Sequence, residues 1–305
     1  MIKHALLAAL LLITTAGEPV SATRAYLDTA LNLLQQYSVE SPKADWPKLR
    51  AQAHAEAADA ERPSDTYPVI NETIEALGNP HTVLLASPEG GAPDPFGMVP
   101  DGRMIGSTAY LKLPAISVDL GQEYVDAGLR LMRDLIAARP GSWVVDLRGN
   151  TGGDMRPMLT VVAPLLGEGR KGMFVGPDGS TADWGVVNGH LYAGGEMAFP
   201  QVEVPPAVTG PVAVLVDAMT SSSGEAVLLS FTGQAGTRSF GAPTGGFATV
   251  NASFTLPDGA RLAVTTAYMA DRTGRTYGNT PIAPQTPVGD GDALAAAIEW
   301  LAQRP

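Results

Sequence analysis

The sequence predicts an α/β fold with a small helical bundle near the N terminus. Two short apolar runs, residues 143–147 and 211–216, are typical of strands that are buried on both faces. A helical pattern follows each run, and strands that alternate with helices favour a sheet covered by helices. Residues 26–34 carry apolar side chains at three- and four-residue spacing, which indicates an amphipathic helix outside this alternating region.

Two more helices are predicted close to the first one, over residues 46–60 and 66–77. Residues 86–105 are rich in glycine and proline and show little periodicity, which predicts a linker or a surface loop. We therefore predict an N-terminal helical domain with its linker over residues 23–105, and an α/β core over residues 106–305.

Further elements are predicted within this core. Residues 123–138 form an amphipathic helical pattern. Residues 247–254 and 261–268 alternate between polar and apolar side chains on either side of Pro257-Asp258-Gly259, which predicts a β-hairpin. Residues 171–205 are rich in glycine and contain several aromatic side chains, and we expect them to form a flap over a functional site.

The composition excludes several classes of protein. The 305 residues include no cysteine, which excludes disulfide scaffolds, zinc fingers, iron–sulfur clusters and a cysteine nucleophile. The 31 acidic and 20 basic residues give a formal net charge of −11. This charge argues against a nucleic-acid partner, because such binding depends on cationic contacts to phosphates. A hydrophobic content of 45% is too high for a disordered protein.

The first residues have the three-part pattern of a secretory signal peptide. Lys3 precedes the uncharged apolar run of residues 5–13, and Val20-Ser21-Ala22 supplies small residues for a cleavage site. The alternative is a membrane anchor, but this run is too short to cross about 30 Å of hydrocarbon. We therefore predict a signal peptide over residues 1–22, a periplasmic or extracellular location, and no membrane span after cleavage.

One motif that could carry chemistry follows the strand predicted over residues 143–147. The chain there reads Asp146-Leu147-Arg148-Gly149-Asn150-Thr151-Gly152-Gly153 and continues into a helical pattern. Such a turn can present backbone N–H groups to an anion or an oxyanion. It can equally be a tight turn whose glycines only supply unusual backbone angles.

A second motif, Thr220-Ser221-Ser222-Ser223-Gly224-Glu225, follows the other buried strand and also precedes a helical pattern. A serine at such a corner is exposed beside a helix N terminus, which suits a nucleophile. The alternative is a helix cap, because Glu225 can complete a capping box with Ser222.

A serine nucleophile needs a base, and histidine is the residue type that most often serves. Beyond the predicted signal peptide the sequence contains three histidines, His54, His81 and His190. His54 lies in an alanine-rich helical stretch and His190 in a glycine-rich loop. His81, in Gly78-Asn79-Pro80-His81-Thr82, is therefore the candidate base, although a histidine in a loop can also be purely structural.

Three segments in this order resemble the family of carboxy-terminal processing (tail-specific) proteases and tricorn-core serine peptidases. The resemblance spans about residues 46–288 and is carried by residues 77–82, 146–153, and 222–225 with 241–246. It implies an α/β core related to the ClpP/crotonase fold and a helical N-terminal cap. It also implies serine-dependent hydrolysis of peptides or unfolded proteins, with no metal and no other cofactor.

This family has two catalytic styles. In the processing proteases a lysine lies 25 residues beyond the nucleophile and a glutamine follows four residues later, where this chain has Phe247 and Asn251. No lysine follows Lys171 in the sequence. The resemblance therefore favours the tricorn style, in which Ser222 is the nucleophile and His81 is the base.

The predicted oxyanion hole consists of the backbone N–H groups of Ser223 and of Gly152 or Gly153. Two supporting positions differ from the tricorn pattern, because Pro80 stands in place of a serine and Gly278 in place of a glutamate. Other residues could support the histidine instead of that glutamate: Asp271, Tyr277 and Asn279.

The family resemblance leaves three functions open. Besides a serine peptidase, the chain could be a non-catalytic ligand-binding protein of the same fold, as the interphotoreceptor retinoid-binding protein is. It could also be a serine hydrolase that acts on esters or on non-peptide amides. Only 29 residues separate His81 from Tyr110. That is too few for the PDZ domain inserted in many processing proteases, so we predict none.

Overall fold

The structure is a computed structural model that describes residues 22–86, 98–116, 120–289 and 291–304. The predicted signal peptide lies outside these residues apart from Ala22, where the first helix begins. The helices are α1 (Ala22–Tyr37), α2 (Trp46–Glu56), α3 (Tyr67–Leu77), α4 (Gly121–Ala137), α5 (Met155–Leu166), α6 (Ser223–Phe231) and α7 (Ala293–Ala302). The strands are β1 (Val83–Leu85), β2 (Asp101–Ile105), β3 (Thr108–Lys112), β4 (Ser142–Asp146), β5 (Gly169–Val175), β6 (Thr181–Val187), β7 (His190–Ala193), β8 (Glu196–Met197), β9 (Val212–Val216), β10 (Thr237–Gly241), β11 (Thr249–Thr255), β12 (Arg261–Asp271) and β13 (Thr286–Pro287).

The central sheet contains six strands in the order β13-β10-β9-β4-β3-β2. Its strands are parallel except for β2, which runs antiparallel to β3. The neighbouring strands β4 and β9 are buried along their whole length, as their continuous apolar runs predict. Helices α4, α5 and α6 cover one face of the central sheet and α7 covers the other. The predicted α/β fold class is confirmed.

The parallel pairing of β4 with β9 has a consequence for function. Asp146, the last residue of β4, lies beside Leu215 near the end of β9. The two motifs that follow these strands therefore emerge at the same edge of the central sheet, which is where ligands bind in open α/β sheets.

The side sheet is antiparallel and runs β1-β12-β5-β6-β7-β8, and β11 pairs with β12 as the predicted hairpin. Strands β5 to β8 occupy about half of residues 171–205, so this segment belongs to the side sheet, and its role as a flap over the site stays a prediction. Trp184 in β6 is fully buried and donates a hydrogen bond to Ser230 in α6 over 2.8 Å. A Cβ atom on Gly172 would lie 2.1 Å from the Trp184 ring. Gly172 therefore makes room for Trp184 in the core, although glycine enrichment suggests a loop.

The N-terminal helices α1, α2 and α3 share an apolar core with the β11–β12 hairpin, in which Leu27 and Ile70 pack together with Leu256 and Leu262. Strand β1 follows α3 and pairs with β12. The helical region is thus present as predicted, and its boundary with the core at residue 105 stays a prediction.

Three boundaries differ from the expectations. Helix α2 ends at Glu56 rather than at residue 60. Strand β2 occupies the end of the predicted linker, where it pairs with β3. It was not predicted because its five residues carry no periodic pattern of polar and apolar side chains. The helical pattern after the glycine motif begins only at Met155, as α5, because Gly152 and Gly153 have positive φ angles and Asp154 caps the helix. Among the described residues, no helix combines the length and apolar character of a membrane span.

Candidate active site

The loop after β4 is fixed by a buried ion pair. Asp146 is fully buried and accepts hydrogen bonds from the backbone and guanidinium N–H groups of Arg148 and from the Tyr110 hydroxyl. Burial favours the neutral acid, but these hydrogen bonds outweigh it and hold the pKa of Asp146 below its usual value. Asp146 and Arg148 therefore pin the strand end and are not aimed at a substrate.

Asn150 shapes the glycine turn that follows. Its side-chain amide donates to Leu113 O over 2.9 Å and its side-chain oxygen accepts from Gly152 N over 2.9 Å. Gly152 has φ of 109°, and a Cβ atom there would lie 2.9 Å from Cβ of Ser222. This position requires glycine for both its backbone angle and its close approach to the serine loop.

The two loops are joined by further hydrogen bonds. Ser221 N donates to Asn150 O over 2.9 Å, and the Thr220 hydroxyl donates to Leu147 O over 2.9 Å. Gly149 N lies 3.1 Å from both carboxylate oxygens of Asp217. The glycine motif and the serine motif therefore form one rigid unit, as a preorganised site requires.

Ser222 has an unusual backbone conformation directly before α6, with φ of 52° and ψ of −115°. Residues other than glycine that are held at such angles cost about 1–3 kcal/mol and cluster at active sites. The conformation is maintained by Ser222 N, which donates to Glu225 Oε2 over 2.9 Å. The next residue, Ser223, begins α6 and its hydroxyl donates to Gly153 O over 2.5 Å.

The candidate oxyanion donors are not equivalent. The N–H of Gly152 is already engaged by Asn150. In contrast, the N–H groups of Gly153 and Ser223 have no hydrogen-bond acceptor among the residues that the structure describes. Of the three predicted residues, Gly153 and Ser223 are thus the two whose backbone N–H groups can donate to an oxyanion.

His81 lies in the turn after α3 and is held on three sides. Its backbone N–H donates to Asn79 Oδ1, and its carbonyl accepts from the Asn251 side chain over 2.8 Å. Its Nδ1 lies 2.6 Å from the Thr249 hydroxyl oxygen, and the Phe247 ring packs against the imidazole at 5.2 Å between centroids. Burial lowers the pKa of His81 to about 4, so the imidazole is neutral at neutral pH.

Thr249 is the partner of His81 that the sequence did not reveal. Asp271 and Tyr277, two of the expected supports, hydrogen-bond to each other over 3.0 Å within their own turn. Gly278 lies against the Tyr268 ring. A threonine in an alternating strand carries no distinctive signal, so pattern reasoning could not have identified it.

A cavity of about 290 Å³ lies at this edge of the sheet. It is lined by Gly153 and by six polar or charged residues: Asp154, Arg156, Ser222, Ser223, Thr249 and Asn251. Its apolar lining residues are Met155, Phe174, Ala193, Val250 and Met269. The structure thus brings Ser222 to the same cavity as Thr249, the residue that binds the His81 ring. Within the described part of the chain, no hydrogen bond joins the side chains of Ser222 and His81, and no cluster of three or more metal-ligand side chains occurs.

Replacement of Thr249 by valine should lower kcat by about tenfold to a hundredfold with little change in KM. The valine removes the hydroxyl that lies 2.6 Å from Nδ1 of His81 and leaves this buried nitrogen without its hydrogen-bond partner, at a cost of about 1–3 kcal/mol. Steady-state kinetics on a cleaved peptide measures the effect. Thr255→Val, at the exposed end of the same strand, is the matched control and should match wild type. Equal kcat values in all three proteins would contradict the assignment.

Comparison with known proteins shows the class of protein to which this chain belongs. The pattern of peptidase family S41 matches residues 107–288. The nisin-resistance protein of Lactococcus lactis subsp. lactis is 27% identical over 277 residues, which cover 90% of this chain and 86% of that protein. The chain belongs to peptidase family S41, and the family predicted from the three motifs is confirmed.

Solved structures show the same fold. The structure of a lipoprotein from Streptococcus agalactiae superposes with a TM-score of 0.78 at 23% identity, covering 99% of each chain. The photosystem II D1 C-terminal processing protease superposes with a TM-score of 0.61 at 14% identity, covering 88% of this chain and 94% of that one.

Proposed function

We propose that this chain is an exported serine peptidase in which Ser222 is the nucleophile and His81 is the base. The observation that carries the proposal is the backbone of Ser222, held at a positive φ directly before α6. Beside it are the N–H groups of Gly153 and Ser223, for which the described part of the chain supplies no acceptor. A helix cap alone needs no such strain. A cluster of free donors beside a strained serine fits an oxyanion hole.

In the proposed reaction, Ser222 Oγ attacks the carbonyl carbon while His81 Nε2 takes the hydroxyl proton. In the proposed tautomer the hydrogen is on Nδ1 and is donated to the Thr249 hydroxyl, whose oxygen lies 2.6 Å away, so that Nε2 carries the free lone pair. The oxyanion accepts hydrogen bonds from Gly153 N–H and Ser223 N–H. The C–N bond then breaks as His81 returns the proton to the leaving amine, and water hydrolyses the acyl-enzyme by the same steps.

The cavity indicates what the substrate presents beside the scissile bond. Phe174, Val250 and Met269 give apolar surface to the cavity that Ser222 and Thr249 also line. An apolar side chain next to the cleaved bond would bury its surface there and gain free energy. We therefore propose a peptide or unfolded protein as substrate, with an apolar residue at the cleaved bond.

Export is proposed from the signal-peptide pattern of residues 1–22. A related chain that is called a nisin-resistance protein suggests an antimicrobial peptide as one substrate to test. No particular observation on the cavity favours a lipid ligand over a peptide.

The test is incubation of the purified protein with a mixed peptide library and with nisin, followed by mass spectrometry, in parallel with labelling by a fluorophosphonate. We expect cleavage beside apolar residues and labelling of Ser222. Turnover of small esters without any peptide cleavage would contradict the proposal and indicate a hydrolase that acts on non-peptide substrates. Absence of both turnover and labelling would also contradict the proposal and indicate a non-catalytic binding protein.

A further inference from the structure

Glu225 is a buried carboxylate that the proposed reaction does not use. It lies in the first turn of α6 and has no exposed surface. It accepts four hydrogen bonds, which is close to the full capacity of a carboxylate. Oε2 accepts from Ser222 N and Phe247 N, and Oε1 accepts from the Thr244 hydroxyl and Gly246 N.

The two partners of Oε2 belong to opposite sides of the site. Ser222 N donates to this oxygen over 2.9 Å, and Ser222 is the proposed nucleophile. Phe247 N donates to the same oxygen over 2.7 Å, and the Phe247 ring packs on the imidazole of His81. A single oxygen atom therefore links the backbone of the nucleophile to the residue that covers the base.

This arrangement exceeds what a helix cap requires. A capping box uses only one of these four bonds, the one that Ser222 N donates to the carboxylate; its reciprocal half runs from the Glu225 backbone N–H to the Ser222 side chain. The other three bonds reach residues 244–247, which lie about 20 positions later in the chain. They fix a loop of the central core against the serine motif.

We infer that Glu225 is the positioning residue that sets Ser222 and His81 relative to each other, through the shared oxygen that binds Ser222 N–H and Phe247 N–H. The inference rests on the proposed function. Displacement of the nucleophile by about 1 Å can cost a factor of about 100 in rate.

The chemistry of the carboxylate makes a sharp test possible. Glutamine has the same shape, but its NH₂ group is a donor and cannot accept from a backbone N–H. In Glu225→Gln at least one of the N–H groups of Ser222, Gly246 and Phe247 loses its acceptor, whichever way the amide is turned. Burial raises the pKa of Glu225 and its four hydrogen bonds oppose this rise. Among the described residues Glu225 forms no ion pair, so the exchange for glutamine breaks none.

We expect Glu225→Gln to lower kcat by about 100-fold with KM retained. We also expect the pKa of His81 to rise from about 4 towards its ordinary value, because the Phe247 ring no longer shields the imidazole. The second effect is read by NMR titration of the histidine ring protons in the substrate-free protein, with His81→Ala to assign the signal. A purely structural cap would leave both quantities unchanged.

The matched control is Asp271→Asn. Asp271 is also buried and accepts several hydrogen bonds in a turn, from Thr273, Arg275 and Tyr277. It touches neither Ser222 nor the His81 ring. This variant should lose stability while kcat and the His81 titration stay as in wild type.

If Glu225→Gln does not fold, Phe247→Ala tests the same link, because it keeps the backbone N–H and removes only the ring from His81. An unchanged His81 titration in Phe247→Ala would overturn the inference, as would wild-type kcat in Glu225→Gln. The titration needs no turnover. A shifted His81 in a protein that cleaves no peptide would therefore overturn the proposed function and leave the positioning role of Glu225 intact.

Discussion

Ser222→Ala should abolish peptide cleavage and labelling by a fluorophosphonate. The expected loss in kcat is on the order of 10⁶-fold, because removal of a serine nucleophile leaves only the oxyanion donors and substrate binding to act. Substrate binding itself should persist, since the cavity walls around Phe174 and Met269 are unchanged. Rate measurements on the peptide cleaved best by wild type, with labelling read by mass spectrometry, check both expectations.

The neighbouring Ser221 supplies the control for this experiment. Ser221 holds its loop through its backbone N–H, which donates to Asn150 O and is retained in Ser221→Ala. That variant should keep activity within a few fold. Labelling that survives in Ser222→Ala and disappears in Ser221→Ala would show that the nucleophile has been assigned to the wrong serine.

His81→Ala should lower kcat by about 10⁴-fold or more, because Ser222 then has no base and the leaving amine has no proton donor. His54→Ala is the control, since His54 pairs with Asp28 between α1 and α2 at 3.0 Å and should be dispensable. Equal loss of activity in the two variants would indicate damage to the fold rather than loss of a base.

The pH dependence of wild type provides a second check on His81. Catalysis needs the neutral imidazole, so kcat/KM should hold as pH falls from 7 and decline only as pH passes through about 4. A base with an ordinary histidine pKa would show the decline near pH 6.5 instead.

Stability should also depend on the protonation of His81, and the sign follows from its lowered pKa. Between about pH 6.5 and pH 4 the unfolded chain binds a proton at His81 that the folded chain does not. The free energy of unfolding therefore falls as pH decreases through this window. Thermal melts of wild type and His81→Ala from pH 7 to pH 4 should show the steeper decline in wild type.

The sequence predicts those parts of the fold whose signals are local. The continuous apolar runs of β4 and β9 and the alternating residues of β11 and β12 indicate their strands because burial dictates them position by position. The motif at Gly152 could be found because the close approach of two backbone segments there requires glycine. The motif at Ser222 could be found because the start of a helix favours a small set of residue types. Their convergence follows from the parallel pairing of β4 with β9.

The features that sequence reasoning missed depend on contacts between distant segments. Thr249 supports His81 from 168 positions away, and any hydroxyl in that strand would look the same in the sequence. The pairing of β11 with β12 also shifts register between Val250 and Asn251, where Thr266 is an extra residue in β12, and the three consecutive residues Thr249, Val250 and Asn251 all line the cavity. The strict alternation of a regular strand, in which every second residue faces the same side, does not predict three consecutive residues at one cavity. The β5–β8 strands were not predicted because a glycine that makes room for Trp184, such as Gly172, resembles a glycine of a loop in the sequence.

The strained backbone of Ser222 lowers the stability of the fold at the residue that the proposed reaction needs. At φ of 52° and ψ of −115°, a glycine would relieve strain of about 1–3 kcal/mol and remove the hydroxyl. Selection for thermal tolerance alone would therefore reward loss of the proposed nucleophile at this position, as in other proteins where active sites oppose stability. For the same reason Ser222→Gly is a better choice than Ser222→Ala for trapping an intact peptide in crystals, because the loop can keep its native shape without strain.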